Sequence, residues 1–191
     1  MELIAKGASD TQQAAARLLW HLAGGRDGCM AIAAAGGVPP VLSLLAHSHV
    51  PLQELGAALL RRLLRSDPRT RASLAEHLMK AAAPRTALVR LLSAGSPAAQ
   101  QQAAEALAVA TKVRANCGPL EAIDGLVEGL VGLLASTVVG TPEASARALT
   151  HLVKDGDEDD EGGGDVGGPS NPQPHTPPRT HQRGGAATSA G

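Results

Sequence analysis

The 191-residue chain is 43% hydrophobic, yet Trp20 is its one Phe, Tyr or Trp residue, and 17 basic residues nearly balance 18 acidic ones. That composition excludes a β-sandwich or barrel, whose strands draw on aromatic and β-branched side chains. Ala and Leu, both strong helix formers, dominate instead, so the chain reads as helix packed on helix. Two isolated cysteines, Cys29 and Cys117, exclude a disulfide framework or a zinc site and fit a reducing compartment. No apolar run has the length of a membrane span, and the start lacks the charged-then-apolar pattern of a signal peptide. The expected location is therefore cytoplasmic, nuclear or both.

In chain order, the first strong helical segment is QQAAARLLWHLA (Gln12–Ala23). Gly36-Gly37 followed by Val38-Pro39-Pro40 reads as a helix stop, a sharp turn and a new start, leading into a second helix over Val38–Ala46. The first pattern then returns as QELGAALLRRLL (Gln53–Leu64), and the second as Pro84–Ser93 and again as Leu126–Ala135. In the second series the paired leucines are Leu44-Leu45, Leu91-Leu92 and Leu133-Leu134. In the first, Leu18, Leu59, Leu107 and Leu149 follow at offsets of 41, 48 and 42 residues. Asp67-Pro68, Ser96-Pro97 and Thr141-Pro142 each place a side-chain acceptor at an N-cap, with proline at the first helical position. A period near forty residues is the mark of a helical solenoid, which buries its core only by stacking neighbouring repeats.

From Asp155 the chain runs through GDEDDE (Gly156–Glu161) into Gly- and Pro-rich sequence with almost nothing apolar to bury, so residues 155–191 are expected to be a disordered tail. Body and tail differ in sign. Residues 1–154 hold 15 basic and 11 acidic residues, a balance of +4, and residues 155–191 hold 2 and 7, a balance of −5. A tethered acidic segment of this kind is expected to compete weakly for any basic groove on the body.

The segment AAARLLWHLAGGRDGCMAIAAAGGVPPVLSLLAHS resembles the armadillo repeat, in the form met in plants and green algae. There an A-x-x-L-x-x-L-A helix precedes a linker, a short helix ending A-G-G-[IV]-P, and a helix ending in L-L. The A-G-G-V-P turn favours armadillo over HEAT repeats. The resemblance implies an all-α, right-handed superhelical α-solenoid of about three and a half armadillo-type repeats over residues 1–154. The repeats fall at about 8–47, 50–93, 96–135 and a partial 141–154, with Met1–Gly7 looking like the tail end of an earlier repeat's last helix. The second copy is divergent, with KAAAPR where the first has A-G-G-V-P.

In armadillo proteins the A-x-x-L-x-x-L-A helices line a groove that holds an extended peptide, and in nuclear import adaptors those helices carry Trp and, four residues on, Asn. The leucine register puts the Trp-equivalent positions at Arg17, Ala58, Ala106 and Ala148, and the Asn-equivalent ones at His21, Arg62, Ala110 and Leu152. None is Trp or Asn, which weakens a transport-adaptor role. The residues expected in the groove are Arg17, His21 and Arg62, with Gln13, Glu54 and Gln102 one turn earlier, and Trp20 is expected to pack between repeats. Arginines so placed attract an acidic or phosphorylated extended segment. The resemblance thus implies a non-catalytic interaction module or scaffold. The substrate-binding portion or adaptor of a ubiquitin ligase system is the alternative.

No phosphate-cradling G-x-x-x-x-G-K-[ST], nucleophile elbow or other catalytic motif is present, and no cofactor or nucleic-acid partner is expected. His47 and His49 lack further ligands nearby and read as an inter-repeat loop. Asp157, Asp159 and Glu161 begin like a calcium loop, but Gly168 stands where a bidentate Glu is required. PHTPPR (Pro174–Arg179) matches a short proline-rich ligand pattern of the kind that arises easily in such tails. Apolar residues near both ends, Leu3, Ile4, Leu149, Leu152 and Val153, make end-to-end self-association a further expectation.

Overall fold

The structure, a computed structural model, describes residues 9–154. The remnant helix expected at Met1–Gly7 and the tail expected at 155–191 lie outside those residues. Among the described residues there are ten α-helices and no strand. They are α1 (Ser9–Leu22), α2 (Arg26–Ala34), α3 (Val38–Leu45), α4 (Val50–Ser66), α5 (Pro68–Met79), α6 (Ala82–Ala94), α7 (Pro97–Ala110), α8 (Arg114–Glu121), α9 (Leu126–Gly132, continued by a 3-10 turn over Leu133–Ala135) and α10 (Thr141–Val153).

The repeat is spatial as well as sequential. Helices α3, α6 and α9 stack in turn, α5 stacks on α8, and the long helices α1, α4, α7 and α10 form a continuous row. Neighbours are held by leucines and alanines that are almost wholly buried, among them Leu44, Leu45, Leu59, Leu63, Leu91, Leu92, Ala103, Ala104 and Leu107. Each buried leucine contributes roughly 1.5–3 kcal/mol relative to exposure. Small residues set how closely the helices approach. At Gly56 of α4 a Cβ would stand only 2.7 Å from the Cβ of Leu44 in α3, so this crossing admits no side chain.

The turns follow from local chemistry. Gly36 has φ +72°, the left-handed conformation that ends α2. Its N–H donates to Ala33 O and the N–H of Gly37 to Ile32 O, the paired bonds of a glycine-terminated helix. The Asp67 carboxylate accepts from the amides of Arg69 and Thr70, and the Ser96 hydroxyl accepts from Ala99 N, so both expected caps form. The third does not. Gly140, at φ +86°, is the N-cap of α10, and Thr141 lies inside the helix with its hydroxyl buried and without a partner.

The expected leucine register needs one correction. Cys29 Sγ donates to Ala23 O at 3.4 Å, Arg71 Nε to Leu64 O at 3.0 Å, and Cys117 Sγ to Thr111 O at 3.3 Å. Each is a side chain of the following helix that satisfies a carbonyl at the end of a long helix, where no intrahelical donor remains. Ala23, Leu64 and Thr111 are therefore equivalent, which makes Leu107 the counterpart of Leu19 and Leu60, not of Leu18 and Leu59. The slip arises in α7, where the alanine-rich EALAVA offers no side chain large enough to mark the buried face.

Burial works against the charge on Asp67, but hydrogen bonds from the Thr70 hydroxyl and from the Arg69 and Thr70 amides, with the nearby Arg69 charge, hold its carboxyl below the ordinary 3.8. A lowered carboxyl stabilises the fold above its unfolded value, and that stability is lost as pH falls through the folded value. Asp67→Ala should cost about 1 kcal/mol at neutral pH, as measured by urea unfolding. The difference from the parent should shrink below about pH 4. A gap that stays constant down to pH 2 would show that the carboxylate is not the stabilising group.

Candidate functional site

The long helices α1, α4, α7 and α10 present one stripe that stacking does not cover. By the corrected register, the positions six before the shared carbonyl are Arg17, Ala58 and Glu105, and those two before it are His21, Arg62 and Val109. Ala106 and Ala110, read from sequence as groove positions, are buried in helix–helix contact, and so are Ala148 and Leu152. None of these four can face a ligand.

Four of the six expected site residues come together. Gln13, Arg17, Glu54 and Gln102, with Trp20, Pro51, Leu55, Ala58 and Ala98, line a depression of about 370 Å³ shared by α1, α4 and α7. Gln102 reaches it although Gln101 is the register counterpart of Gln13 and Glu54; Gln101 instead donates to Glu105 and to Val139 O. Arg17 is exposed, and its guanidinium makes no hydrogen bond or ion pair among the described residues. Glu54 is tied down, because the Ser96 hydroxyl donates to its carboxylate at 2.6 Å. The buried Oε1 of Gln102 has no donor among the described residues.

His21 is exposed beside this depression without lining it, and Arg62 has a structural task. Its guanidinium lies over the Trp20 ring, 3.5 Å from the centroid, and its Nη1 donates to Trp20 O at 3.2 Å and Ala23 O at 3.4 Å. One side chain thus caps α1 and clamps it to α4. Trp20 packs between repeats, as its out-of-phase position suggested, and also walls the depression. The neighbouring Arg61 forms an ion pair with Glu105 of α7 at 3.0 Å, with both side chains about one quarter exposed.

A feature that the sequence did not single out lies at the other side of the Trp20–Arg62 stack. Arg26, Arg61, Arg62 and Arg65 surround a hollow of about 270 Å³ floored by Ala23, Gly24, Gly25 and Ser66. Only Arg61, Arg62 and Arg65 are close in sequence, and the contribution of Arg26 depends on how α2 starts. The loop histidine His47 is engaged at both ring nitrogens, with Gln12 Oε1 at 2.9 Å and His49 N at 3.1 Å, so it offers no free site to a metal.

Solved structures match this architecture. An engineered protein 27% identical to the chain superposes with a TM-score of 0.66 over 80% of this chain and 36% of its own. A designed armadillo repeat protein, 20% identical, gives 0.66 over 79% of this chain and 62% of its own. Another, 19% identical and in complex with the peptide (KR)4, gives 0.64 over 81% and 68%. The chain thus spans from about a third to two thirds of the length of these neighbours. No family model matches the sequence, and no curated protein matches it. The chain has an armadillo-type repeat fold.

A cation over an indole face contributes about 0.5–2 kcal/mol. In a double-mutant cycle, Arg62→Ala and Trp20→Leu should therefore couple by about that much in urea unfolding. Additive losses would mean that Arg62 does not clamp α1 and is available to a ligand.

Proposed function

We propose that this chain is a non-catalytic protein-interaction scaffold that holds an extended acidic or phosphorylated segment along the row of long helices. The observation that carries this reading is the convergence of Gln13, Arg17, Glu54 and Gln102 beside Trp20 on three successive repeats. A depression with an aromatic wall and amide side chains matches what an extended backbone needs, namely hydrogen-bond partners at intervals and an apolar surface for side-chain stems. One structural neighbour was solved with a basic peptide. Charge on this chain favours the opposite kind. Arg17 forms no ion pair among the described residues, the Glu54 carboxylate that shares the depression is held by the Ser96 hydroxyl, and the positive balance comes from the arginine hollow adjoining the same stack.

The test is fluorescence anisotropy of a labelled acidic octapeptide against the full chain in 50 mM salt. Arg17→Glu should weaken binding at least about threefold, and the difference should fade at 300 mM salt, as expected of a partly exposed charge. The chain's own acidic tail is present in both proteins, and any competition from it is weakened by the same substitution, so it can shrink the difference but not create it. Unchanged affinity would remove the groove from the binding reaction.

A second reading concerns copies of the chain itself. Leu18 and Leu22 of α1 are 62% and 55% exposed, whereas their counterparts Leu59 and Leu63 in α4 are fully buried against the preceding long helix. Val131, Leu134, Val139 and Val153 are exposed toward the last repeat. We propose that these two faces stack head to tail, each supplying what an internal neighbour supplies elsewhere, a geometry that continues into filaments unless it closes. Sedimentation velocity across a tenfold range of micromolar concentrations should show species above the 19.3 kDa monomer, and Leu18→Lys with Leu22→Lys should abolish them. A monomer throughout would overturn the idea.

A further inference from the structure

We infer that the four-arginine hollow is a phosphoryl-binding subsite that receives a phosphorylated side chain of a peptide held in the adjoining groove. The inference rests on the groove reading for its peptide, but the pocket is a separate construction. Arg26 opens α2, Arg61, Arg62 and Arg65 come from the last turns of α4, and Ala23, Gly24, Gly25 and Ser66 keep the floor low. The Trp20–Arg62 stack stands between hollow and groove, because Trp20 lines one and Arg62 the other. A peptide lying along α1, α4 and α7 would pass this wall and could lower one side chain over it.

The cluster is organised before any ligand arrives. Arg61 is fixed by Glu105, and Arg62 by the indole face and two carbonyls, so neither must be ordered on binding. Arg61 Nε is buried without an acceptor among the described residues, so this guanidinium keeps an unused donor. Arg26 and Arg65 are exposed and make no hydrogen bond or ion pair through their guanidinium groups among the described residues, which leaves them free to close from two sides. The α2 terminus behind them has Gly25 as N-cap with no side-chain cap, so its positive end adds to the field.

Charge distinguishes phosphoryl from carboxylate. Four guanidinium groups line the hollow; Glu105 pairs with Arg61, Asp27 lies in the first turn of α2 and Asp67 follows Ser66, so the net charge about the hollow stays positive. A phosphoserine brings about −1.5 to −2 at neutral pH and three acceptor oxygens, enough to engage several forks at once. One carboxylate brings a single charge and two oxygens.

The full chain should be passed over immobilised degenerate peptides carrying five random residues on each side of phosphoserine, serine or glutamate, and over the hexapeptide GDEDDE. Phosphoserine peptides should retain it at least about tenfold better than serine peptides and about fivefold better than glutamate or GDEDDE. Arg26→Ala with Arg65→Ala should abolish that preference without moving the thermal midpoint, since both side chains are exposed and unpaired. The inference is overturned if glutamate or GDEDDE is retained as well as phosphoserine, or if the preference survives the double substitution. Equal retention of all peptides would sink this inference alone. Failure to retain any of them would sink the groove reading with it.

Discussion

Each interior long helix is pressed between two others, and this crowding decides which of its residues are free to do anything else. In α4, Leu59 and Leu63 are covered on one flank, and Leu52, Leu60 and Leu64 are buried with them. What remains is a narrow stripe through Glu54, Ala58, Arg61, Arg62 and Arg65. In α7 the covered set is wider still, because Ala99, Ala103, Ala104, Ala106, Ala108 and Ala110 are all internal, and beyond its first turn Gln101, Gln102, Glu105 and Val109 are left part-exposed. A solenoid has no cleft formed by loop insertion, so its binding surface is whatever stacking leaves uncovered. That is why a shift of one residue in register moves a position from ligand contact to core.

Helix period and capping chemistry made the architecture legible in the sequence. The long segments Gln12–Ala23 and Gln53–Leu64, the A-G-G-V-P turn and two of the three caps followed by proline correspond to observed elements, because each depends on residues close together in sequence. The register between repeats depends instead on contacts more than forty residues apart. Where α7 carries alanine at nearly every position, hydrophobic pattern alone does not say which alanine faces inward. The marker that settles it, a side-chain donor on the carbonyl of Ala23, Leu64 or Thr111, is Cys in two repeats and Arg in the third. No similarity of residue type would have connected them, although a thiol and a guanidinium can do the same geometric work at a helix end.

The candidate site shows the same division. Gln13, Arg17 and Glu54 were readable because they recur one turn before, or at, a position defined by the repeat, whereas Gln102 entered through the slipped register of α7 and lines the depression beside the true counterpart, Gln101. Arg62 was readable as a surface residue but not as a clamp, since its stack on Trp20 joins residues 42 apart through the orientation of both side chains. Arg26 stands at the start of a different helix and entered no pattern at all. The arginine hollow therefore belongs to the packing of α2 against the ends of α1 and α4, which only the assembled fold defines.

Stability and the proposed binding draw on the same residues at this point of the molecule. Arg61 and Arg62 tie α4 to α7 and to α1, so the same guanidinium groups that order the row of long helices also wall the hollow. Removing Glu105 would release Arg61 and add to the positive field while loosening α4 from α7. The present arrangement compensates one arginine, stacks a second on an indole, and leaves Arg26 and Arg65 uncompensated at the rim. Like charges so close repel one another, a cost that the fold bears because two of the four are held by other contacts. An anion entering the hollow would relieve that repulsion and draw the rim arginines inward, tightening the junction of the first two repeats. Binding of the proposed ligand there would be coupled to repeat stacking through the same two turns of α4.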